Sequence, residues 1–135
     1  MIPWLAIAAA LTATAPTANV TAQPRPQLDP AVVRQVLGGA AAQVKRCYRS
    51  PRIGHEARQI VTRLIVRLGP DGALTALPEL ADQTGITPGN QPFAREMAEA
   101  AVLAVMRCAP LRLPPEHYDR IWREFELTFS MAGSA

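Results

Sequence analysis

The sequence carries none of the short signatures that mark the common enzyme classes. It has no Gly-x-Ser-x-Gly, no phosphate-binding glycine loop, no dinucleotide fingerprint and no His-Glu-x-x-His. Its carboxylates are scattered rather than paired, so catalysis is not expected; a hydrolase or redox enzyme stands only as a rival reading. Charge of one sign is scarce as well. The 14 basic and 11 acidic residues leave a formal charge of +3, too small an excess to point to nucleic acid, which an exported protein would rarely meet. Lysine is all but missing: Lys45 stands alone and every other basic residue is arginine, a bias that GC-rich coding would produce. A run long enough to span a membrane is missing too. Met1 to Ala15 is almost wholly apolar, but it falls short of the ~20 residues a membrane helix needs, and Pro3 and Pro16 bracket it.

Together with the residues after it, that run reads as an export signal. Small residues lead to Val20-Thr21-Ala22 before Gln23, the small-x-small pattern of a cleavage site. The expected organisation is a signal peptide over 1–22, a linker over 23–28, one domain over 29–130 and a tail over 131–135. A mature chain of that length supports one core but not two. An uncleaved N-terminus, anchoring the domain in the inner membrane and facing the periplasm, is the alternative.

Cysteine is rare, and its placement is informative. Cys47 and Cys108 each follow an arginine, and each closes an amphipathic stretch that a proline ends. In an oxidising compartment such a pair points to a structural disulfide. A redox pair is the weaker alternative, since no Cys-x-x-Cys exists and neither cysteine opens a helix. A zinc site with His55 and His117 is another, but the spacings match no familiar finger.

Asp29 offers an N-cap before Pro30, and Val33, Val36, Leu37, Ala40, Val44, Cys47 and Tyr48 recur at helical spacing, predicting a helix from Pro30 to about Arg49. Gly38-Gly39 weakens its middle, and close packing against a sheet would compensate. Ala57 to Leu68 changes to period two: Thr62, Leu64, Val66 and Leu68 share one face, and Val61, Arg63, Ile65 and Arg67 the other. Gly69-Pro70-Asp71-Gly72 reads as a hairpin turn, followed by a second strand over Ala73 to Leu77 and a loop over Ala81 to Gln91. A second helix is predicted from Pro92 to Ala109, buried through Phe93, Met97, Ala101, Ala104, Val105 and Cys108. One more helical turn, Glu116 to Ile121, precedes a third strand, Trp122 to Ser130. In that strand Phe125, Leu127 and Phe129 face inward and Glu124, Glu126 and Thr128 outward.

The fold class is therefore α+β, in the order helix-strand-strand-helix-strand, with two helices on one face of a three-stranded antiparallel sheet. The long first strand should be central and the last strand an edge. Arg63 and Arg67 would then meet Glu124 and Glu126 across the open face, in exposed pairs that add little stability.

These residues resemble a known family. The element order, the cysteine closing each helix, Cys47-Tyr48, the Asp71-Gly72 hairpin and the ending are similar to the TolA/TonB C-terminal domain, closest to its TolA type. That ending reads Arg107-Cys108-Ala109-Pro110-Leu111, Leu113-Pro114-Pro115, Tyr118, Trp122 and Phe125-Glu126-Leu127-Thr128-Phe129. The resemblance implies a periplasmic, non-catalytic interaction module without cofactor or metal. Its partners would be envelope proteins, an outer-membrane receptor or a TolB-like protein, at the cell envelope or its transport machinery. TolA and TonB also carry an inner-membrane helix and a long spacer. The stretch from Ala22 to Asp29 is too short for such a spacer, so coupling to a proton-driven motor is not expected, and a minimal anchored transducer is the alternative.

Two surfaces are candidate partner sites. If the last strand is an edge, its unpaired backbone can take up a partner strand, or a second copy of the chain, beside Trp122, Glu124, Glu126 and Thr128. Glu124 and Glu126 could equally guard against such pairing. The open sheet face offers Val61, Arg63, Ile65 and Arg67. The basic run Lys45, Arg46, Arg49, Arg52, Arg58, Arg63 and Arg67 reads either as a solvated helix end, stabilised by the helix dipole, or as a docking surface for an anionic partner such as lipid headgroups.

Overall fold

A computed structural model describes residues 28–131. The signal-peptide and cleavage-site expectation for 1–22 lies outside the described residues, as do most of the linker and of the C-terminal tail. Helix α1 spans Pro30–Cys47; strands β1, β2 and β3 span Val61–Arg67, Glu79–Thr84 and Glu124–Phe129; helix α2 spans Ala94–Cys108. Short 3-10 turns lie at His55–Gln59, Gln91–Phe93 and Pro115–His117, and a π-turn at Tyr118–Trp122 leads into β3.

The local chemistry explains where α1 starts and stops. Asp29 Oδ1 accepts a hydrogen bond from the Ala31 amide at 2.9 Å, and Pro30 occupies the first helical position, where no donor is needed. The helix ends at Tyr48, in extended conformation, with Lys45 and Arg46 in the last turn, where cations are favoured.

β1 is the central strand: it pairs antiparallel with β2 on one side and β3 on the other, so β2 and β3 run the same way. Alternate β1 residues Thr62, Leu64 and Val66 are buried, and the last two join Leu68, Phe125 and Leu127 in the core. Val36, Ala40 and Val44 of α1 and Ala101, Ala104 and Val105 of α2 fill the same cluster, so both helices cover that one face. The α+β arrangement expected from the sequence is the one observed. A smaller cluster, Ala57, Ile60 and Met97, seats the approach to β1 against α2. For this reason Ala57 to Gln59 form a turn rather than the start of the strand.

The second strand is not at Ala73 to Leu77. The hairpin turn forms, with Gly72 donating to the Gly69 carbonyl at 2.9 Å, but pairing stops after a single bridge, Leu74 to Leu68, in which Gly69 donates to the Ala73 carbonyl and Thr75 to that of Arg67. The chain then swings out at Leu77, 70% exposed, and turns back in at Pro78, which is buried but has no donor for a ladder. Pairing resumes at Glu79 opposite Ile65 and runs to Thr84 opposite Val61. Part of the expected 81–91 loop is thus strand. The register shifts between Arg63, opposite Asp82, and Leu64, opposite Leu80, which leaves Ala81 as the extra residue of a bulge.

Two further expectations are corrected. Trp122 is not a strand residue on the open face: it closes the π-turn, is 1% exposed, and donates Nε1–H to the Pro114 carbonyl at 2.7 Å. Its large ring packs into the core, edge-on to Tyr118 with centroids 4.7 Å apart. Nor do Gly38 and Gly39 permit a close approach, because an added Cβ at either would meet nothing within 4 Å. Their only effect on the fold is to weaken α1. Gly38→Ala should therefore raise stability by about 0.5–1 kcal/mol, read as a higher urea midpoint with an unchanged slope.

Candidate functional site

Cys47 and Cys108 are joined in a disulfide that spans 61 residues of sequence, with Cα atoms 5.7 Å apart. It ties the end of α1 to the end of α2. Beside it, the Gln43 side chain donates Nε2–H to the Arg112 carbonyl at 2.7 Å, and its Oε1 accepts from the Arg112 amide at 2.9 Å. The strand-like segment leaving α2 is thereby held against α1 by one covalent and two hydrogen bonds. The bond also takes up both sulfurs that a zinc site or a thiol pair would require, and among the described residues no group of three potential ligands could hold a metal ion.

The open face of the sheet is a self-paired polar lattice. Arg63 Nε lies 3.0 Å from Asp82 of β2, and its Nη2 lies 3.9 Å from Glu126 of β3. Arg67 reaches Glu79 of β2 and Glu124 of β3, both at 2.9 Å. Each central-strand arginine is bracketed by one carboxylate from each neighbouring strand. A hydrogen bond to Glu79, helped by the charge of Glu124, holds the Arg67 guanidinium above its ordinary pKa even though it is solvent-exposed. Val61 and Ile65 are half-buried between these pairs, with Thr128 opposite Arg63 across β1 and β3.

The outer edge of β3 differs from that face. Among the described residues β3 pairs with β1 alone, so its far side keeps a row of unpaired backbone groups. Alongside that edge, between β3 and the last turns of α1, runs an open groove of about 410 Å³. Ala41, Val44 and Tyr48 form one wall and Leu127 and Phe129 the other, with Lys45 the one charged residue among its lining. Tyr48 stacks at a tilt on Phe129, centroids 5.7 Å apart. Its hydroxyl donates to the Met131 sulfur at 3.7 Å, and Ser50 donates to the same sulfur at 3.4 Å. Partial burial pushes the Tyr48 phenol above its ordinary pKa, so it remains a neutral donor.

β2 is also an edge, but an irregular one. It is bulged, and Gln83 turns inward to bond Thr62 and the Ala94 carbonyl. Of the partner-site candidates read from the sequence, Glu124, Glu126, Arg63 and Arg67 are brought together on the open face, Thr128 lies at the rim of the groove, and Trp122 is withdrawn into the core. The groove itself escaped sequence reasoning. Its signal was a second stripe on α1, in which Ala41, Lys45 and Tyr48 recur four and then three residues apart beside the core stripe.

The basic run divides in two. Arg63 and Arg67 belong to the lattice, whereas Lys45, Arg46, Arg49, Arg52 and Arg58 make no ion pair with any described residue. Among the described residues no helix is long and apolar enough to cross a membrane.

No protein-family model matches the chain, and no curated protein matches it. Among solved structures it is similar to the solution NMR structure of TolAIII bound to a peptide derived from the N-terminus of TolB. The identity is 16%, over 81% of this chain and 80% of that one, with a TM-score of 0.44.

Proposed function

We propose that this chain is an exported, non-catalytic protein-binding module of the TolA/TonB C-terminal type. It acts in the periplasm, as an accessory of the cell envelope or its outer-membrane transport machinery. A partner segment adds as a further strand to the outer edge of β3. The observation that carries this reading is the pairing of an uncovered strand edge with an apolar groove running beside it. A strand laid on that edge gains main-chain hydrogen bonds, and every second side chain falls into the groove. The disulfide supports an oxidising compartment. The open face supports the same choice by contrast, because its arginines already have carboxylate partners.

Site-specific photo-crosslinking in intact cells tests this. A photoreactive residue at Ala41, exposed on the α1 wall of the groove, should trap an outer-membrane receptor or a TolB-like protein, while one at Arg95, on the far helix α2, should not. Adducts confined to Arg63 or Ile65 would move the interface to the open face. No adduct with either protein class at Ala41 would end the reading. Sequencing the mature N-terminus in the same cells separates a free domain, beginning at Gln23, from an anchored one, beginning at Met1.

A further inference from the structure

The groove has a charge as well as a shape. Lys45 is the one ionisable cation lining it, and it is exposed, at the end of a helix whose next cations are Arg46, Arg49 and Arg52. None of the four is paired with a described carboxylate. The acids of β3 cannot serve them, since Glu124 and Glu126 stand on the opposite, open face and are held by Arg67 and Arg63. The C-terminal ends of α1 and β3 converge here, as the Tyr48–Phe129 ring contact and the Tyr48 and Ser50 bonds to Met131 require. Lys45 therefore sits along the same line as the strand edge, whereas Arg46 turns to the disulfide side of α1, beside Cys108 and Pro110.

We infer that the groove selects an acidic extended peptide: apolar residues at alternate positions, facing Val44, Tyr48, Leu127 and Phe129, and an Asp or Glu residue meeting Lys45. This deepens the strand-addition reading and rests on it. The apolar walls fix which residues alternate, because strand side chains return to one side every second position. Lys45 fixes the charge, because an anionic side chain meets attraction there, whereas a basic one would be repelled. A lipid surface is the lesser fit, since headgroups would address the cations and leave an apolar slot beside a strand edge unfilled.

Selection from a random-peptide library displayed on phage tests the inference on the full chain. The chain is held through an N-terminal biotin so that its single lysine stays free. The selected pool should show apolar alternation together with enrichment of Asp and Glu. The best acidic peptide should bind the Lys45→Glu chain about five- to tenfold more weakly, the loss expected for one partly exposed charge pair converted to repulsion. Selection on that variant should drop the acidic bias and gain Lys or Arg, while Arg34→Glu, on the other half of α1, should leave both affinity and bias unchanged. Lys45→Gln, which adds no negative charge to the helix end, should fall between wild type and Lys45→Glu, and matching circular dichroism spectra confirm that each variant is folded. A pool with apolar alternation but no acidic bias would overturn the charge selection and leave strand addition standing. A chain that enriches no peptide, yet binds phosphatidylglycerol vesicles through Lys45, would overturn the inference and give the cations to a membrane.

Discussion

Opening the Cys47–Cys108 bond, by reductant or by the double substitution Cys47→Ser with Cys108→Ser, should lower the unfolding free energy by about 4 kcal/mol. The size comes from the loop it closes. The two cysteines are 61 residues apart, and fixing the ends of a loop that long removes a large share of the unfolded chain's freedom. A domain of this size has about 5–15 kcal/mol in all, so the loss would take much of it. The native geometry should survive, because Gln43 still holds Arg112 through two hydrogen bonds and the core of Val44, Ala104 and Val105 lies directly beneath. The expected signature is a urea transition moved to lower concentration, with the folded spectrum unchanged before it begins. A midpoint that moves by less than the equivalent of about 1 kcal/mol would mean that the reduced, unfolded chain is already compact and gains little from the staple. The same experiment bears on location, since a domain that leans so heavily on a disulfide is poorly suited to a reducing compartment.

The elements that the sequence disclosed are those whose side chains separate cleanly into buried and wet. β1 alternates Thr62, Leu64 and Val66 against Arg63, Ile65 and Arg67, and one face is indeed packed under helices. α1 and α2 announce themselves by Val36, Ala40, Val44 and by Met97, Ala101, Ala104, Val105, together with the cap at Asp29. β2 is hard to see in the sequence because Glu-Leu-Ala-Asp-Gln-Thr has little to alternate: it is a bulged edge strand, largely exposed, held by backbone pairing to β1 and by Gln83. Nothing in a propensity scale sees a partner strand supplied from elsewhere in the chain. Trp122 misleads for a related reason. Reading Trp122 to Ser130 as one alternating run ignored the π-turn that rotates the indole out of the strand and toward Pro114, where its N–H finds an acceptor. The open-face pairs from β1 to Glu124 and Glu126 of β3 were legible from charge and parity, whereas those to Asp82 and Glu79 were not, because they depend on where β2 lies. The groove was not, because it belongs to two segments more than eighty residues apart, Tyr48 and Met131 among them, and only the packing of α1 beside β3 creates it.

The hairpin tip is the other point where one atom should decide the fold. Gly72 has φ +81°, and its carbonyl accepts from the Leu111 amide at 2.9 Å while its own amide donates to Gly69. Asp71 supports the turn by accepting from the Ala73 amide at 3.1 Å. The tip thus lies flat against the segment that leaves α2, and a Cβ at Gly72 would land on the Leu111 carbonyl oxygen. Gly72→Ala should therefore cost about 1–2 kcal/mol for the left-handed backbone and a further ~1–3 kcal/mol for the overpacking, together about 3 kcal/mol. Gly72→Asn separates the two contributions. Asparagine tolerates the left-handed conformation, so it relieves the first cost but not the collision. If the collision dominates, both variants should unfold at nearly the same denaturant concentration, well below wild type. If Asn restores most of the stability, the backbone angle alone matters and the close approach to Leu111 does not. The damage should also travel. Leu111 is buried and adjoins Arg112, which Gln43 clamps to α1, and the next turns of α1 wall the groove beside β3. A hairpin tip far from the proposed partner site is therefore expected to loosen that site. The check is faster amide hydrogen exchange at Val44 and Lys45 in Gly72→Ala, under conditions where the rest of α1, from Val33 to Leu37, keeps its protection.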